Sequence, residues 1–218
     1  MFVDKTSVTL VDHMGDDLTT VNAARVSFHK MHSSLDKKKD PKLIKYLADH
    51  EHTSPFKHAA LSFHIKAPIF VARQLVKHEY LVMNEVSRRY VDSSPEFWLP
   101  LAWREWSEDK KQGSGGSHPS KAVQERCKTD YKYSVTIAVR SYKQMLRDGI
   151  APEQARMVLP QSMMTEWYWT GLLGSWAKMC KLRLKADAQA ETRLVAEQVY
   201  EVACEKFPLS FPALVGDV

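Results

Sequence analysis

The sequence predicts an α+β fold, with an antiparallel or mixed sheet in the N-terminal half packed by a helical majority. Three observations carry this. His58 to Lys66 alternates, with Ala59, Leu61, Phe63 and Ile65 on one face and His58, Ala60, Ser62, His64 and Lys66 on the other, the period of a half-buried strand. The second half reads as successive helices punctuated by Gly149, Pro152, Pro160 and Pro208. Hydrophobic residues at 44% and charged residues at 26% of 218 give an ordinary globular composition with enough apolar surface for a sizeable core. One domain over residues 1–218 is therefore expected.

The elements follow in order. Val8 to Val11 is a short β-prone run. Asp16-Asp17-Leu18 opens a helix through Val21, Ala24 and Val26, its acids in the first turn where the helix dipole favours them. His29 to Asp40 is polar and Lys-rich, a surface loop, and Pro41 then starts a helix on Leu43, Ile44 and Leu47 that runs to about His50. After the alternating strand, Pro68 opens a helix to about His78 with Ile69, Ala72, Leu75 and Val76 as its apolar stripe. Gln74 and His78, four apart, share another face of it, beside Arg73 and Lys77. A short loop and a basic end at Arg88-Arg89 follow.

Residues 107–121, centred on Gly113-Ser114-Gly115-Gly116-Ser117, read as a flexible loop within the one domain, because neither flank carries a complete set of layers. Ala122 to Gly149 is one long helix, Pro152 starts another that Pro160 interrupts, Thr165 to Leu184 reads as a buried helix rich in Trp, Met and Leu, and Ala186 to Lys206 is amphipathic up to Pro208.

Several function classes drop out. No apolar run reaches the roughly 18–20 residues of a membrane span, and Met1 to Lys5 lacks the order of a signal peptide, so a cytosolic chain is expected. Cys127, Cys180 and Cys204 are too scattered for a disulfide framework or a CxxC metal knot. No P-loop, GxGxxG or GxSxG motif occurs. The net charge of +5 suits nucleic acid or a phosphorylated or carboxylated small molecule.

The densest polar cluster is Arg73 to Tyr90. Arg88 and Arg89 offer fork-like donors for phosphate, Ser87 adds a hydroxyl donor, and Glu85 can accept from a ribose hydroxyl or a base N–H. A solvated helix end laced with salt bridges explains the composition equally well. Arg156 and Arg183 each sit in an apolar run, as anion contacts if buried, or else as an exposed helix Arg and an ordinary structural pair. His50-x-His52 has the look of a metal pair without a third ligand at zinc spacing, so no metal is expected and a helix end before the turn at Pro55 is the better reading. Cys180 reads as a small buried thiol.

These segments together resemble the flavin-dependent thymidylate synthases over almost the whole chain. The resemblance rests on Asn22 to Phe28 (NAARVSF), His52 to Phe56 (HTSPF), Lys66 to Gln74 (KAPIFVARQ), Asn84 to Tyr90 (NEVSRRY), Ala155 to Pro160 (ARMVLP), and Leu182-Arg183 with Ala188-Gln189. The Gly/Ser insertion and the wording from Glu85 to Val91 look most like bacteriophage versions.

The family implies a homotetramer with shared active sites, FAD, dUMP, methylene-tetrahydrofolate as carbon donor and NADPH as reductant. It implies neither a nucleic-acid nor a membrane partner, and action in the host cytoplasm for a phage-encoded chain. Residue by residue, it implies nucleotide contacts at Gln74, Lys77, Glu85, Ser87, Arg88, Arg89, Arg156 and Arg183. It implies flavin contacts at Ser27, Ser54, Lys77, His78, Glu79, Glu85 and Lys178, and catalytic roles for Arg183, at the pyrimidine edge, and His52.

This chain departs from the family in two places. An Arg-His-Arg triplet is Lys77-His78-Glu79 here, and Leu172, Gly174 and Lys178 stand where Asn, Arg and Asn usually help hold FAD. The alternatives are a C5 hydroxymethylase or methylase acting on dUMP or dCMP, or a flavin-poor nucleotide binder.

Overall fold

The computed structural model describes residues 1–90, 94–108 and 114–217. The chain opens with strands β1 (Phe2–Val3) and β2 (Ser7–Met14), then helix α1 (Asp17–Arg25). Asp16 caps α1, accepting from the Thr19 N–H at 2.8 Å while the Thr19 hydroxyl accepts from the Asp16 N–H at 3.1 Å, a reciprocal capping box. Asp17 does more than complement the dipole. It is buried, and its carboxylate accepts the Leu209 and Ser210 N–H groups at 2.9 Å each, at the start of the last helix. Helix α2 (Asp40–Asp49) starts on a buried acid that pairs with Arg25 at 2.5 Å and accepts the Asp36 N–H at 2.8 Å, which folds the 29–40 loop back onto α1.

The sheet is built around β3 (Ala60–Pro68). Its alternation is realised, with Leu61, Phe63 and Ile65 buried and Ser62, His64 and Lys66 half-exposed. Helix α3 (Ile69–Leu75) follows directly and ends three residues before His78. The segment after it is not the expected loop but strand β4 (Leu81–Glu85), and β5 (Phe97–Trp98) pairs in parallel with β1. Helix α4 (Lys121–Arg147) buries Val135 and Tyr142 and packs Val135 with Phe97 and Met163 in a satellite core, and α5 (Pro152–Ala155) ends in a 3₁₀ turn, Arg156–Val158.

The main correction falls on Thr165 to Leu184. It is not one helix: Met164–Leu172 is strand β6, and helix α6 (Leu173–Arg183) begins only after it. Thr165, Trp167 and Trp169 point inward while Glu166, Tyr168 and Thr170 point out, a period of two that the high Trp and Met content hides. Helices α7 (Ala190–Lys206) and α8 (Ser210–Val215) complete the chain.

The four-stranded sheet runs in the order β2-β3-β6-β4, antiparallel throughout, so it draws a central strand from the C-terminal half. Its inner face packs on α3, α6, α7 and α8. Trp176 stands edge-on to Phe63 and Trp169 at 4.9 and 4.8 Å, and its indole N–H is shared by the Leu61 and Gly171 carbonyls, each at 3.1 Å. Gly171 is required where β4 crosses: an added Cβ would lie 2.3 Å from Leu81 Cδ2 and 2.8 Å from the Tyr80 carbonyl.

Of the expected loop at 107–121, residues 109–113, including Gly113, lie outside the described residues. Their flanks are ordered by backbone bonds. Glu105 and Gly115/Gly116 exchange hydrogen bonds at 2.9 Å, and Arg104 bridges to Ser117.

Candidate active site

A cavity of about 460 Å³ opens where α3, the end of β4 and the α5 turn meet. Ile69 and Arg73, four apart on α3, supply one wall, and Glu85, Ser87 and Arg88 supply a second as β4 leaves the sheet. Glu153 and Arg156 close the third from α5 and its turn. Its apolar floor is Leu159, Met163 and Ile69, part of the satellite core under α4. The Val86 N–H still donates to the Glu166 carbonyl at 2.9 Å, so the ladder continues to the rim, and the Ser87–Tyr90 turn closes at 3.0 Å.

The electrostatics favour an anion. Arg73, Arg88 and Arg156 face Glu85 and Glu153, and Glu85 is held by the buried Thr165 hydroxyl, which donates to its carboxylate at 2.7 Å. Arg156 spends only its Nε–H on the Glu153 carbonyl, at 3.3 Å, leaving its terminal fork toward the cavity side of the turn without another protein bond among the described residues. Planar guanidinium forks beside a hydroxyl are phosphate chemistry.

A second cluster sits on the other side of α3. Arg183, the last residue of α6, donates from Nε to His78 Nε2 at 3.0 Å and from a terminal nitrogen to the Gln74 carbonyl at 3.4 Å. The imidazole nitrogen that accepts must be unprotonated. Burial, and then the Arg183 charge, push His78 down to about 4, so the ring is neutral at physiological pH. Burial also lowers the Arg183 pKa from its usual value. Its remaining guanidinium N–H groups make no other hydrogen bond among the described residues.

Of the residues expected at the nucleotide, the structure brings Glu85, Ser87, Arg88 and Arg156 to the cavity, and Gln74 and Arg183 to the cluster beside it. Arg89 does not line the cavity. It is exposed, its Nε–H reaches Ser87 Oγ at 3.4 Å, and its guanidinium lies 5.1 Å from the Tyr90 ring. Lys77, Glu79 and Lys178 are exposed and make no ion pair among the described residues. Ser27, His52 and Ser54 are exposed on or beside the 3₁₀ turns after α1 and α2. His52 lies edge-on to Tyr46 at 6.1 Å, and His50 stacks on Tyr46 at 4.1 Å.

Among the described residues no group of three or more His, Cys, Asp or Glu is arranged to hold a metal. Burial pushes the Cys180 and Cys204 thiols up, away from thiolate. Sequence reasoning does not single out Glu153 or Thr165 for the site. Thr165 is hidden by the helical reading of its segment, and Glu153 lies three residues before Arg156, a helical neighbour the spacing does offer.

Of the residues expected at a flavin, the Ser27 and Ser54 hydroxyls and the Lys77 and Lys178 ammoniums are exposed, and none makes a hydrogen bond or ion pair among the described residues, so each has donors to offer a polar cofactor. An added Cβ at Gly174, where the resemblance leads one to expect an Arg, would meet no atom within 4 Å.

The sheet thus frames a cavity lined by three arginines, two glutamates and a serine, the residue types of a site for a small polar ligand. A sequence model described as thymidylate synthase complementing protein matches residues 9–209. The flavin-dependent thymidylate synthase of Thermus thermophilus is 40% identical over 211 residues, 97% of this chain and 76% of that protein. That of Kosmotoga olearia is 38% identical over 221 residues, 98% and 92% respectively. The crystal structure of the UMP/dUMP methylase PolB from Streptomyces cacaoi bound with 5-Br UMP matches with a TM-score of 0.85 at 31% identity, covering 97% of this chain and 94% of that one. Its 5-Br dUMP complex gives 0.86. The chain belongs to the thymidylate synthase complementing protein family, the flavin-dependent thymidylate synthases.

Proposed function

We propose that the chain catalyses the reductive methylation of dUMP to dTMP. The observation that carries this reading is the meeting of Ser87 and Arg88 with Arg156, from segments far apart in sequence, at one cavity beside Arg183. Ser87, Arg88 and Arg156 hold the 5′-phosphate. Glu85, aimed by Thr165, accepts from a ribose hydroxyl or base N–H. Arg183, anchored by neutral His78 and by the Gln74 carbonyl, lies at the pyrimidine edge and favours the N3-ionised ring, because a guanidinium in a partly dry site stabilises developing negative charge.

The flavin contacts are Ser27, Ser54, Lys77, His78, Glu79, Glu85 and Lys178. When bound, the reduced cofactor supplies hydride to the pyrimidine. Methylene-tetrahydrofolate is the carbon donor, NADPH the reductant, and His52 serves the folate side. The buried, thiol-form Cys180 agrees with carbon transfer that needs no cysteine attack. The exposure of Arg89, Lys77, Ser27 and His52 suits a homotetramer in which copies complete each other's sites in the cytoplasm, the host's for a phage-encoded chain. Among the described residues no helix is long and apolar enough to cross a membrane.

The test is the absorption spectrum of the purified protein, followed by product mass after incubation with dUMP, labelled methylene-tetrahydrofolate and NADPH. Yellow protein and dTMP are expected. A product heavier by one oxygen assigns hydroxymethylation, and a colourless protein that stays inactive with added FAD overturns the reading.

A further inference from the structure

Gln74 carries more polar attention than an exposed or packing residue needs. Its side-chain oxygen accepts from the Thr192 hydroxyl at 3.0 Å, and its side-chain nitrogen donates to the Gln189 side-chain oxygen. Both partners lie at the start of α7, more than 110 residues further along the chain. Thr192 is fully buried and spends its hydroxyl on this one distant group. Gln189 is the residue that caps α7 by position, yet its side chain makes no cap bond to its own helix. It reaches Gln74 instead and donates to Glu191 at 3.0 Å. Glu191 is buried too, and Arg104 holds it at 2.8 Å, with the Arg104 Nε–H on Ser114 at 2.6 Å.

A carboxamide is nearly symmetric in shape, and only its hydrogen bonds decide which end is oxygen and which is nitrogen. Here both ends are read. A hydroxyl donor meets the oxygen and an amide oxygen meets the nitrogen, so the orientation is single. The Gln189 amide is fixed in the same way, because its nitrogen faces a carboxylate. Burying this chain of polar groups costs free energy unless each is satisfied, and satisfaction leaves Gln74 one N–H and one lone pair for a ligand.

We propose that Thr192 and Gln189 are positioning residues of the nucleotide site: together they lock the Gln74 carboxamide in the one orientation that the nucleotide reads, with Glu191 and Arg104 locking Gln189 in turn. The proposal rests on the assignment of Gln74 as a nucleotide contact.

The experiment measures dUMP affinity of the flavin-loaded protein by calorimetry. Thr192→Val keeps the shape and removes the donor. It should raise the dUMP Kd about fivefold, the size of one lost neutral hydrogen bond, and Thr192→Ser should restore it. Gln189→Met, which removes the acceptor without touching the Thr192 bond, should give a similar loss. In a Gln74→Ala background, where nothing is left to orient, Thr192→Val should change Kd no further. An unchanged Kd in Thr192→Val and Gln189→Met overturns the proposal, as does a loss that persists in the Gln74→Ala background, which would mark ordinary structural damage. Wild-type protein that binds no dUMP overturns the functional reading itself, and this proposal with it.

Discussion

Protonating His78 should cost stability and should dislodge Arg183, and the size of both effects follows from the geometry. Nε2 of the ring accepts the Arg183 Nε–H at 3.0 Å, so a proton there replaces a hydrogen bond with a contact between two cations. The folded-state value is about 4 against an ordinary 6.5, lowered by burial first and by Arg183 second. Between those values the unfolded chain binds more protons than the folded one, so stability is full above about pH 6.5 and is lost as pH falls toward 4. At about 1.36 kcal/mol per pH unit the gap sets a ceiling of roughly 3 kcal/mol. The ring is half-exposed to solvent, which screens the repulsion and reduces the expected loss to about 1–2 kcal/mol. NMR titration of the His78 ring, with unfolding midpoints measured between pH 4 and 7, checks both parts. His78→Gln, whose side-chain oxygen can still accept from Arg183 and does not titrate, should flatten this part of the stability profile. A His78 ring that titrates near 6.5, or a profile that His78→Gln leaves unchanged, would refute the anchoring of Arg183 by a neutral imidazole.

Arg183→Ala should lower kcat by about 10²–10³-fold, the usual cost of losing one preorganised charge-stabilising donor, with little change in melting temperature; near-normal turnover in steady-state assays would remove it from the pyrimidine edge. Ser87→Ala should weaken dUMP binding about fivefold while keeping kcat, whereas lost turnover at unchanged Kd would indicate covalent chemistry at that hydroxyl. Asp17→Ala strands two backbone N–H groups at the start of α8. It should cost about 3 kcal/mol, or roughly 10 °C of melting temperature for a chain of this size, and a loss under about 1 kcal/mol would show that water or another group replaces the cap.

The parts of the fold that are legible in the sequence are those whose pattern is local. The alternation of β3 is one, and the acid-led start of α1 is another. The α4 helix, read over Ala122 to Gly149 and observed over Lys121–Arg147, is a third. Met164 to Leu172 escapes a sequence reading because Met163, Met164, Trp167, Tyr168 and Trp169 form a nearly continuous apolar block, and a buried strand and a buried helix then look alike. Its inward Thr165 is the clue, since a hydroxyl among those rings needs a partner, and that partner, Glu85, lies 80 residues away. The site shows the same division. Ser87, Arg88 and Arg156 stand out as donor-rich points in the chain. The roles of Thr192, Glu191 and Arg104 depend on long-range contacts that no spacing rule reveals.

One short helix explains why these pieces belong together. Arg73 and Gln74 are neighbours on α3, yet they turn to different sides of it, so one peptide unit links the phosphate-type cavity to the Arg183 cluster. Both flanks of that helix are tied down. Val71, Ala72 and Leu75 are buried against the sheet and α7, and the Ile69 and Phe70 N–H groups, unpaired within the first turn, go to Met163 and Gln161 at 2.9 and 3.1 Å, just before β6. A shift of α3 would therefore move Arg73 and Gln74 together, and Arg183 with them through the Gln74 carbonyl. Such a shift is opposed from β6 at one end and from α7 at the other. On the proposed reading, a nucleotide bound across both clusters meets a phosphate subsite and a base subsite whose separation is fixed by adjacent residues of one short helix, the preorganisation that a ring-ionising reaction requires.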